Sequence, residues 1–188
     1  MSLLKSKYKN ILDKKYVYRV INANQQLGID TKYLNTLNFP MQLEADNNMV
    51  AEDLDVYGRN IIVQAVAFKA FKKMQNAAAL EANLDIQILS AFRTIEYQQG
   101  LILNKLKKGD KLKDILSILA PPGFSEHHTG RALDLTTTKL KTLTSDFDKT
   151  DEFAWLVKNA NNYSFHLSFP KNNQYGMIYE PWHWCFKM

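Results

Sequence analysis

Residues 125–134 have the sequence SEHHTGRALD, and we predict that they form a loop that leads into a strand. The segment PPG at 121–123 precedes them and Gly130 lies inside, and both features disfavour a continuous helix. Residues 133–138, LDLTTT, favour a β-strand. We therefore expect polar side chains from a loop and from a strand to meet at one site.

Three of the four histidines lie in this stretch and in a second one, EPWH at residues 180–183. Two imidazoles and one carboxylate can fill three corners of a tetrahedral zinc site and leave the fourth to water, which is the open arrangement of a catalytic site. We assign His127, Asp134 and His183 as the metal ligands. A further carboxylate, Glu180, is assigned as the base that takes a proton from the water.

The spacing of these residues leaves alternatives open. Glu180 and His183 would point to opposite faces of a regular strand, unless Pro181 interrupts the ladder and lets the chain turn. His128 is a rival ligand, although neighbouring side chains generally diverge and both histidines are not expected to bind one ion. Glu126 is the second candidate for the base.

Three motifs, in order, give the chain a resemblance to a known family. The pattern Ser-x-His-x-x-Gly-x-Ala-x-Asp is matched by Ser125, His127, Gly130, Ala132 and Asp134. Residues 180–183 match Glu-Pro-Trp-His, and SAFRT at 90–94, followed by Gln98, is similar to Ser-Gly-Tyr-Arg-Ser with a later glutamine. The chain thus resembles the zinc D-alanyl-D-alanine carboxypeptidase family, which includes vancomycin-resistance DD-carboxypeptidases and related LD-carboxypeptidases. The resemblance covers residues 84–188 well and residues 40–84 weakly.

The resemblance implies a zinc-dependent peptidase that removes a C-terminal D-alanine from peptidoglycan stem peptides. It implies Glu180 as the catalytic base. Arg93 is expected as a second catalytic residue, which holds a substrate carboxylate or an oxyanion. Ser125 and Gln98 are expected to bind the substrate.

The substrate preference is predicted from two departures from the family. Ser168 and Cys185 stand where many relatives have arginines, which leaves a less cationic neighbourhood and favours pentapeptide (DD) over tetrapeptide (LD) substrates. One alternative is a peptidoglycan endopeptidase of the same zinc chemistry, which cuts between L-alanine and D-glutamate. Another is a metal-stabilised binding module without catalysis, against which the presence of Glu180, Arg93 and Gln98 argues.

Length and composition favour a single domain, which we expect to belong to the α+β class. The 188 residues, of which 46% are hydrophobic and 12% aromatic, suffice for a single core. We expect helices packed on a small, mostly antiparallel sheet that carries the zinc site. Residues 1–40 are predicted as an N-terminal helical extension and residues 41–188 as the peptidase core.

The net charge of +5 includes a basic excess near the N-terminus. Asp13 is outnumbered in the first 21 residues by Lys5, Lys7, Lys9, Lys14, Lys15 and Arg19. Such a segment has affinity for a polyanion or forms a solvated basic helix face, and we favour the second interpretation.

The expected partner is a peptidoglycan stem peptide, with no nucleic acid, and the sequence does not indicate the oligomeric state. No apolar run reaches the length of a membrane span, and the N-terminus lacks the apolar core of a signal peptide. The substrate favours the periplasm or cell envelope, while a cytoplasmic location stays open because no signal peptide is present in the sequence.

Hydrophobic periodicity and turn residues predict the remaining elements. The predicted helices span residues 3–27, 60–83 and 151–162, with a further helix from Thr94 and two short helices separated by Gly109. The predicted strands span 84–88, 163–169, 177–179 and 184–186, and residues 29–59 are predicted as an ordered loop or small hairpin. We expect His166 to project from a strand face and Cys185 to be a buried thiol.

Overall fold

Helices and strands are mixed along the residues that the structure, a computed structural model, describes, which are 13–45 and 49–187. The helices are α1 (Lys14–Gln25), α2 (Thr31–Thr36), α3 (Ala65–Ala82), α4 (Ile95–Lys107), α5 (Leu112–Leu116) and α6 (Asp151–Asn159). The strands are β1 (Met49–Leu54), β2 (Asn60–Gln64), β3 (Gln87–Ser90), β4 (Ala132–Thr136), β5 (Phe165–Leu167) and β6 (His183–Phe186). Short 3-10 helices lie at Glu126–Thr129, Ser145–Lys149 and Ala160–Tyr163.

The strand that carries Asp134 lies inside a four-stranded antiparallel sheet. The strand order is β3-β4-β6-β5, and every side chain of β4 is buried. Antiparallel pairing between β4 and β6 sets Asp134 directly opposite His183. Strands β1 and β2 form a separate hairpin. The predicted α+β domain with a small antiparallel sheet that carries the site motifs is confirmed.

Helix α3 covers one face of this sheet. Its buried side chains recur every three or four residues, as predicted, and are Ala67, Phe71, Met74 and Ala78. They share a hydrophobic cluster with Leu133 and Leu135 of β4. Because successive side chains of a strand point to opposite faces, Asp134 is turned away from this cluster. Burial of Phe71 alone contributes roughly 1.5–3 kcal/mol.

Helix α1 packs on the loop that precedes the motif. Val20 shares a second hydrophobic cluster with Phe124, and a Cβ atom on Gly123 would lie only 2.6 Å from the Val20 methyl carbons. Asn24 Nδ2 donates to Pro122 O at 2.8 Å. The helix therefore fixes the approach of the chain to Ser125. Residues 1–12, which include Lys5, Lys7, Lys9 and the start of the predicted helix 3–27, lie outside the described residues, and the domain division at residue 40 stays a prediction.

The predicted helix over 60–83 is wrong in its first five residues, which form β2. Ile61 and Val63 are buried whereas Ile62 is exposed, which is the period of a strand. Pairing with β1 outweighs the helical pattern that these residues continue from α3.

Other predicted boundaries also differ from those in the structure. The strand predicted at 84–88 lies at Gln87–Ser90, the one predicted at 163–169 is confined to Phe165–Leu167, and residues 177–179 form no strand. The helix predicted at 151–162 ends at Asn159 and continues as a 3-10 turn. Among the residues described, no helix is long and apolar enough to cross a membrane.

Candidate active site

His127, Asp134 and His183 form a buried cluster. The β4–β6 pairing brings two of them together, and His127 comes from the 3-10 turn before β4. Their ligand atoms lie within 4.8 Å of one another. Asp134 Oδ1 is 3.2 Å from His127 Nε2 and 3.1 Å from His183 Nδ1. Two imidazole nitrogens and a carboxylate oxygen are a donor set that suits zinc.

The second ring nitrogen of each of these histidines is held by an acceptor. His127 Nδ1 lies 2.6 Å from Ala91 O, and His183 Nε2 lies 2.9 Å from Glu126 Oε2. A carbonyl and a carboxylate only accept, so both nitrogens donate, and His127 Nε2 and His183 Nδ1 are left to face the cluster. The sequence predicted Glu126 only as an alternative base, and its contact with His183 was not foreseen.

Burial and neighbouring charges shift the pKa values at the cluster. Burial disfavours a charged His183, but hydrogen bonds to Asp134 and Glu126 raise its pKa to about 10. Burial lowers the pKa of His127 to about 4. Burial alone raises the pKa of Asp134, yet His127 and Arg93 hold it well below its usual range. The carboxylates thus stabilise positive charge at His183 Nδ1, where a proton and a metal ion compete for one lone pair.

Glu180 and His183 reach the same groove because residues 180–183 form a turn. His183 N donates to Glu180 O at 3.1 Å, so the ladder of β6 begins only at His183. This is the turn at Pro181 that the spacing required. Glu180 Oε2 lies 3.9 Å from His183 Nδ1. Burial raises the pKa of Glu180 to about 7, the range in which a carboxyl group can both take and return a proton at neutral pH.

Arg93 binds the carboxylate of the cluster. Its Nη2 lies 2.5 Å from Asp134 Oδ2 and 2.9 Å from Ser90 Oγ, and its Nε lies 3.2 Å from the same hydroxyl. These contacts use Nε and Nη2, which leaves the Nη1 hydrogens for a further acceptor. The pair joins residues 41 positions apart in the chain, and the sequence pattern gave no signal for it.

Gln98 and Ser125 are buried side chains that line the same groove. Gln98 Nε2 donates to Ala120 O at 2.8 Å. Its Oε1 is buried and has no hydrogen-bond partner among the residues that the structure describes. A buried acceptor without a partner is costly, so this oxygen is suited to an N–H group from a ligand.

The remaining histidines and the cysteine lie outside the cluster. His128 Nδ1 lies 2.6 Å from Arg93 O, and its Nε2 accepts from Gly123 N at 3.0 Å. Both nitrogens are therefore occupied. Through them His128 connects the loop at residues 121–131, here called the motif loop, to Arg93. His166 lies in β5, and Cys185 is buried, which raises the pKa of its thiol.

A groove of about 550 Å³ contains the cluster. All seven residues that the sequence assigned to the site line it, namely Arg93, Gln98, Ser125, His127, Asp134, Glu180 and His183. The volume is within the range of small-molecule and peptide pockets. The arrangement provides a metal-binding donor set, a carboxylate beside it and a guanidinium within one cavity.

Comparison with known proteins gives a consistent set of similarities. The family model described as VanY, D-alanyl-D-alanine carboxypeptidase, matches residues 60–188. A D-alanyl-D-alanine carboxypeptidase of Enterococcus faecium is 37% identical over 166 residues, which are 87% of this chain and 48% of that protein. A putative carboxypeptidase of Bacillus subtilis, YodJ, is 32% identical over 126 residues, 64% of this chain and 45% of that protein. The chain spans about half the length of these curated relatives.

Solved structures share the fold. The LdcB LD-carboxypeptidase is 27% identical with a TM-score of 0.69, over 78% of this chain and 71% of that one. VanYB in complex with D-alanine-D-alanine is 22% identical with a TM-score of 0.57, over 78% and 85% of the two chains. A mutant of the vancomycin-resistance D,D-pentapeptidase VanY, in complex with Zn(II), is 21% identical with a TM-score of 0.60, over 79% and 82%.

Proposed function

Because the chain belongs to the VanY family of D-alanyl-D-alanine carboxypeptidases, we propose that it is a zinc-dependent peptidase that releases C-terminal D-alanine from peptidoglycan stem peptides. The observation that carries the proposal is the buried cluster of His127, Asp134 and His183 with Glu180 beside it. Action on cell-wall peptides favours a site of action in the cell envelope.

Zinc would be held by His127 Nε2, Asp134 Oδ1 and His183 Nδ1. The donor set fits this ion, and the hydrogen bonds to Ala91 and Glu126 orient both imidazoles for it. When bound, the ion supplies Lewis acidity toward the scissile carbonyl and toward a water molecule.

Glu180 moves the proton in this scheme. Its carboxylate accepts a proton from the attacking water as the water oxygen bonds to the scissile carbonyl carbon. The same oxygen then returns the proton to the amine nitrogen of D-alanine as the carbon–nitrogen bond breaks. The position of Glu180 on the groove wall, beside His183, supports this role.

Arg93, Ser125 and Gln98 would bind the peptide. The contact of Arg93 with Asp134 fixes the guanidinium, and its Nη1 is then available to the carbonyl oxygen as charge develops there or to the terminal carboxylate. Gln98 Oε1 would accept an N–H group of the peptide, since it has no partner among the described residues.

The test is release of D-alanine from synthetic pentapeptide and tetrapeptide substrates, each with a free and with an amidated terminus, followed by mass spectrometry. We expect cleavage of the free pentapeptide and a loss of about 30- to 1000-fold on amidation, because a charge-assisted contact is lost. Equal cleavage of the amidated forms, or cuts only between L-alanine and D-glutamate, would contradict the carboxypeptidase activity. Either result would instead indicate a peptidoglycan endopeptidase.

LD-carboxypeptidase activity is the second candidate. The similarity to the LdcB structure favours it, whereas Ser168 and Cys185, in place of the arginines of many relatives, favour the DD preference. Faster release of D-alanine from the tetrapeptide than from the pentapeptide would decide for LD.

A further inference from the structure

The groove extends along α4 well beyond the metal cluster. Tyr97, Leu101 and Lys105 are four residues apart, so they share one face of the helix, and all three line the groove. Helix α4 begins beside Arg93, which contacts Asp134. With a rise of about 1.5 Å per residue, Lys105 lies roughly 10 Å farther along the helix than Gln98.

The far part of the groove combines apolar walls with positive charge. Its apolar lining includes Leu101 and Ile178, the second of which is 42% exposed. Lys105 is the cation of this part. Arg59 also lines the groove, but its Nη2 lies 3.5 Å from Leu89 O, next to the Ser90 that binds Arg93. The carboxylates that line the groove, within the described residues, are Glu126, Asp134 and Glu180, and all of them belong to the metal end. Among the groove-lining residues, negative charge is thus confined to the metal end, and Asp110, which pairs with Lys105, does not line the groove.

The two cations differ in how firmly they are paired. Arg59 Nε and Nη2 both bind Asp55 Oδ2 at 2.5 Å. Lys105 Nζ is 3.8 Å from Asp110 Oδ2, and both side chains are exposed. Such a long, exposed pair contributes little, so a ligand carboxylate can replace Asp110 at Lys105. Arg59 keeps its partner, so of the two cations Lys105 is the one available to a ligand carboxylate.

We propose that the α4 end of the groove is a subsite for a carboxylate of the peptide, with Lys105 as its specificity-determining residue. The proposal rests on the proposed function, which places the peptide terminus at the metal end. An extended peptide spans about 3.3–3.6 Å per residue, so the roughly 10 Å between Gln98 and Lys105 correspond to about three residues. The preferred substrate is therefore an acidic peptide with a carboxylate about three residues before its terminal residue.

The experiment uses two synthetic peptides that the wild-type protein cleaves, identical except for glutamate or glutamine at that position. We expect the wild type to show a KM for the acidic peptide roughly three- to tenfold below that for the neutral one, with similar kcat. In Lys105→Met the ratio of the two KM values is expected to fall to about one. Lys107→Met is the matched control, because Lys107 lies on the same helix but does not line the groove.

A binding measurement separates this inference from the proposed function. Glu180→Gln protein is titrated with both peptides, and the ratio of the two Kd values is expected to show the same preference and to fall toward one at high salt. If neither peptide is cleaved but the Kd ratio depends on Lys105, the subsite stands and the proposed activity fails. Equal Kd values for both peptides in a protein that cleaves them, or an equal loss of preference in Lys107→Met, would overturn the subsite.

Discussion

Two carboxylates next to the cluster have different contacts, and their variants should behave differently. Glu180→Gln keeps the shape of the side chain but cannot take up a proton, so we expect a full zinc content and a loss of about 10²- to 10⁴-fold in kcat. Glu126→Gln weakens the orientation of His183, so we expect about 10- to 100-fold weaker zinc binding and activity that excess zinc restores. Zinc titration and D-alanine release distinguish them. More than half of the wild-type turnover in Glu180→Gln would reassign the base.

The proposed zinc ligands are tested by metal content. His183→Ala removes a nitrogen donor from the cluster, and we expect protein purified without chelator to lose its zinc. His166→Ala is the control, because His166 lies in β5 next to β6 but outside the cluster, and it should retain about one zinc per chain. Wild-type protein that cannot be loaded with zinc would show that the ligand assignment is wrong.

The residues of the site follow from local motifs, but their mutual contacts do not. The sequence places His127 and Asp134 in one pattern and His183 in another, and the structure brings them into one groove. The contact of Arg93 with Asp134 and the bonds of His128 depend on how loop and strands pack. No periodicity within a single segment encodes a contact between segments.

At the level of elements, residues 60–64 show why a helical pattern fails at its start. Val63 fits both the apolar stripe of α3 and the alternation of a strand, whereas Ile61 fits only the strand. Pairing with β1, which lies outside the predicted helix, decides in favour of the strand. The buried stripe of α3 and the presence of a helix on either side of Gly109 were predicted, because there the local pattern and the packing agree. Of the two helices, α5 is short as expected, whereas α4 has 13 residues.

Asp55 holds the turn between β1 and β2 and gives the fold an acid-sensitive contact. Its carboxylate accepts from the backbone N–H groups of Tyr57 and Arg59, both at 2.9 Å. Burial alone raises the pKa of Asp55, but these bonds and the Arg59 guanidinium hold it below its usual value. A group whose pKa is lower in the folded state stabilises the fold above its unfolded-state pKa, and this contribution is lost as the pH falls through the folded-state pKa.

Asp55→Asn is therefore expected to lower the free energy of unfolding by about 1–3 kcal/mol at pH 7, with a difference from wild type that shrinks as the pH falls below about 4. Urea unfolding between pH 7 and pH 2 measures it. Asp53→Asn on the same hairpin removes only a partly exposed pair with Lys72, at 3.0 Å, and should cost less than about 1 kcal/mol. An Asp55→Asn penalty that stays constant with pH would contradict this account.

For the molecule as a whole, α1 connects the segment that precedes β1 to the site. Arg19 binds Glu44 and Glu96, each at 2.5 Å, and Glu44 Oε1 accepts from Ile95 N at the start of α4. Exposed pairs of this kind contribute modestly. We expect buried apolar contacts to contribute more to the packing of α1 on the rest of the chain. The contact between Val20 and Gly123 is one that can be tested directly.

Gly123→Ala would place its Cβ 2.6 Å from the Val20 methyl carbons and force alanine to φ +85°, so we expect a loss of about 2–4 kcal/mol in the free energy of unfolding. Val20→Ala alone should cost about 1–3 kcal/mol. Val20→Ala removes the methyl carbons that clash with the new Cβ atom. The double variant should therefore lose less stability than the sum of the two single variants, by about 1 kcal/mol or more, as measured by urea unfolding.

Gly28→Ala is the control for this cycle, because it measures the cost of a positive φ without a steric clash. Gly28 also has a positive φ, +77°, but nothing lies within 4 Å of its Cβ position, so its substitution reports the backbone term alone. Gly123 N donates to His128 Nε2, and His128 in turn contacts Arg93 O. Additive penalties in the Gly123→Ala and Val20→Ala cycle would contradict the packing of α1 against the motif loop before β4. Coupled penalties would show that α1 supports this loop, which contacts Arg93 through His128.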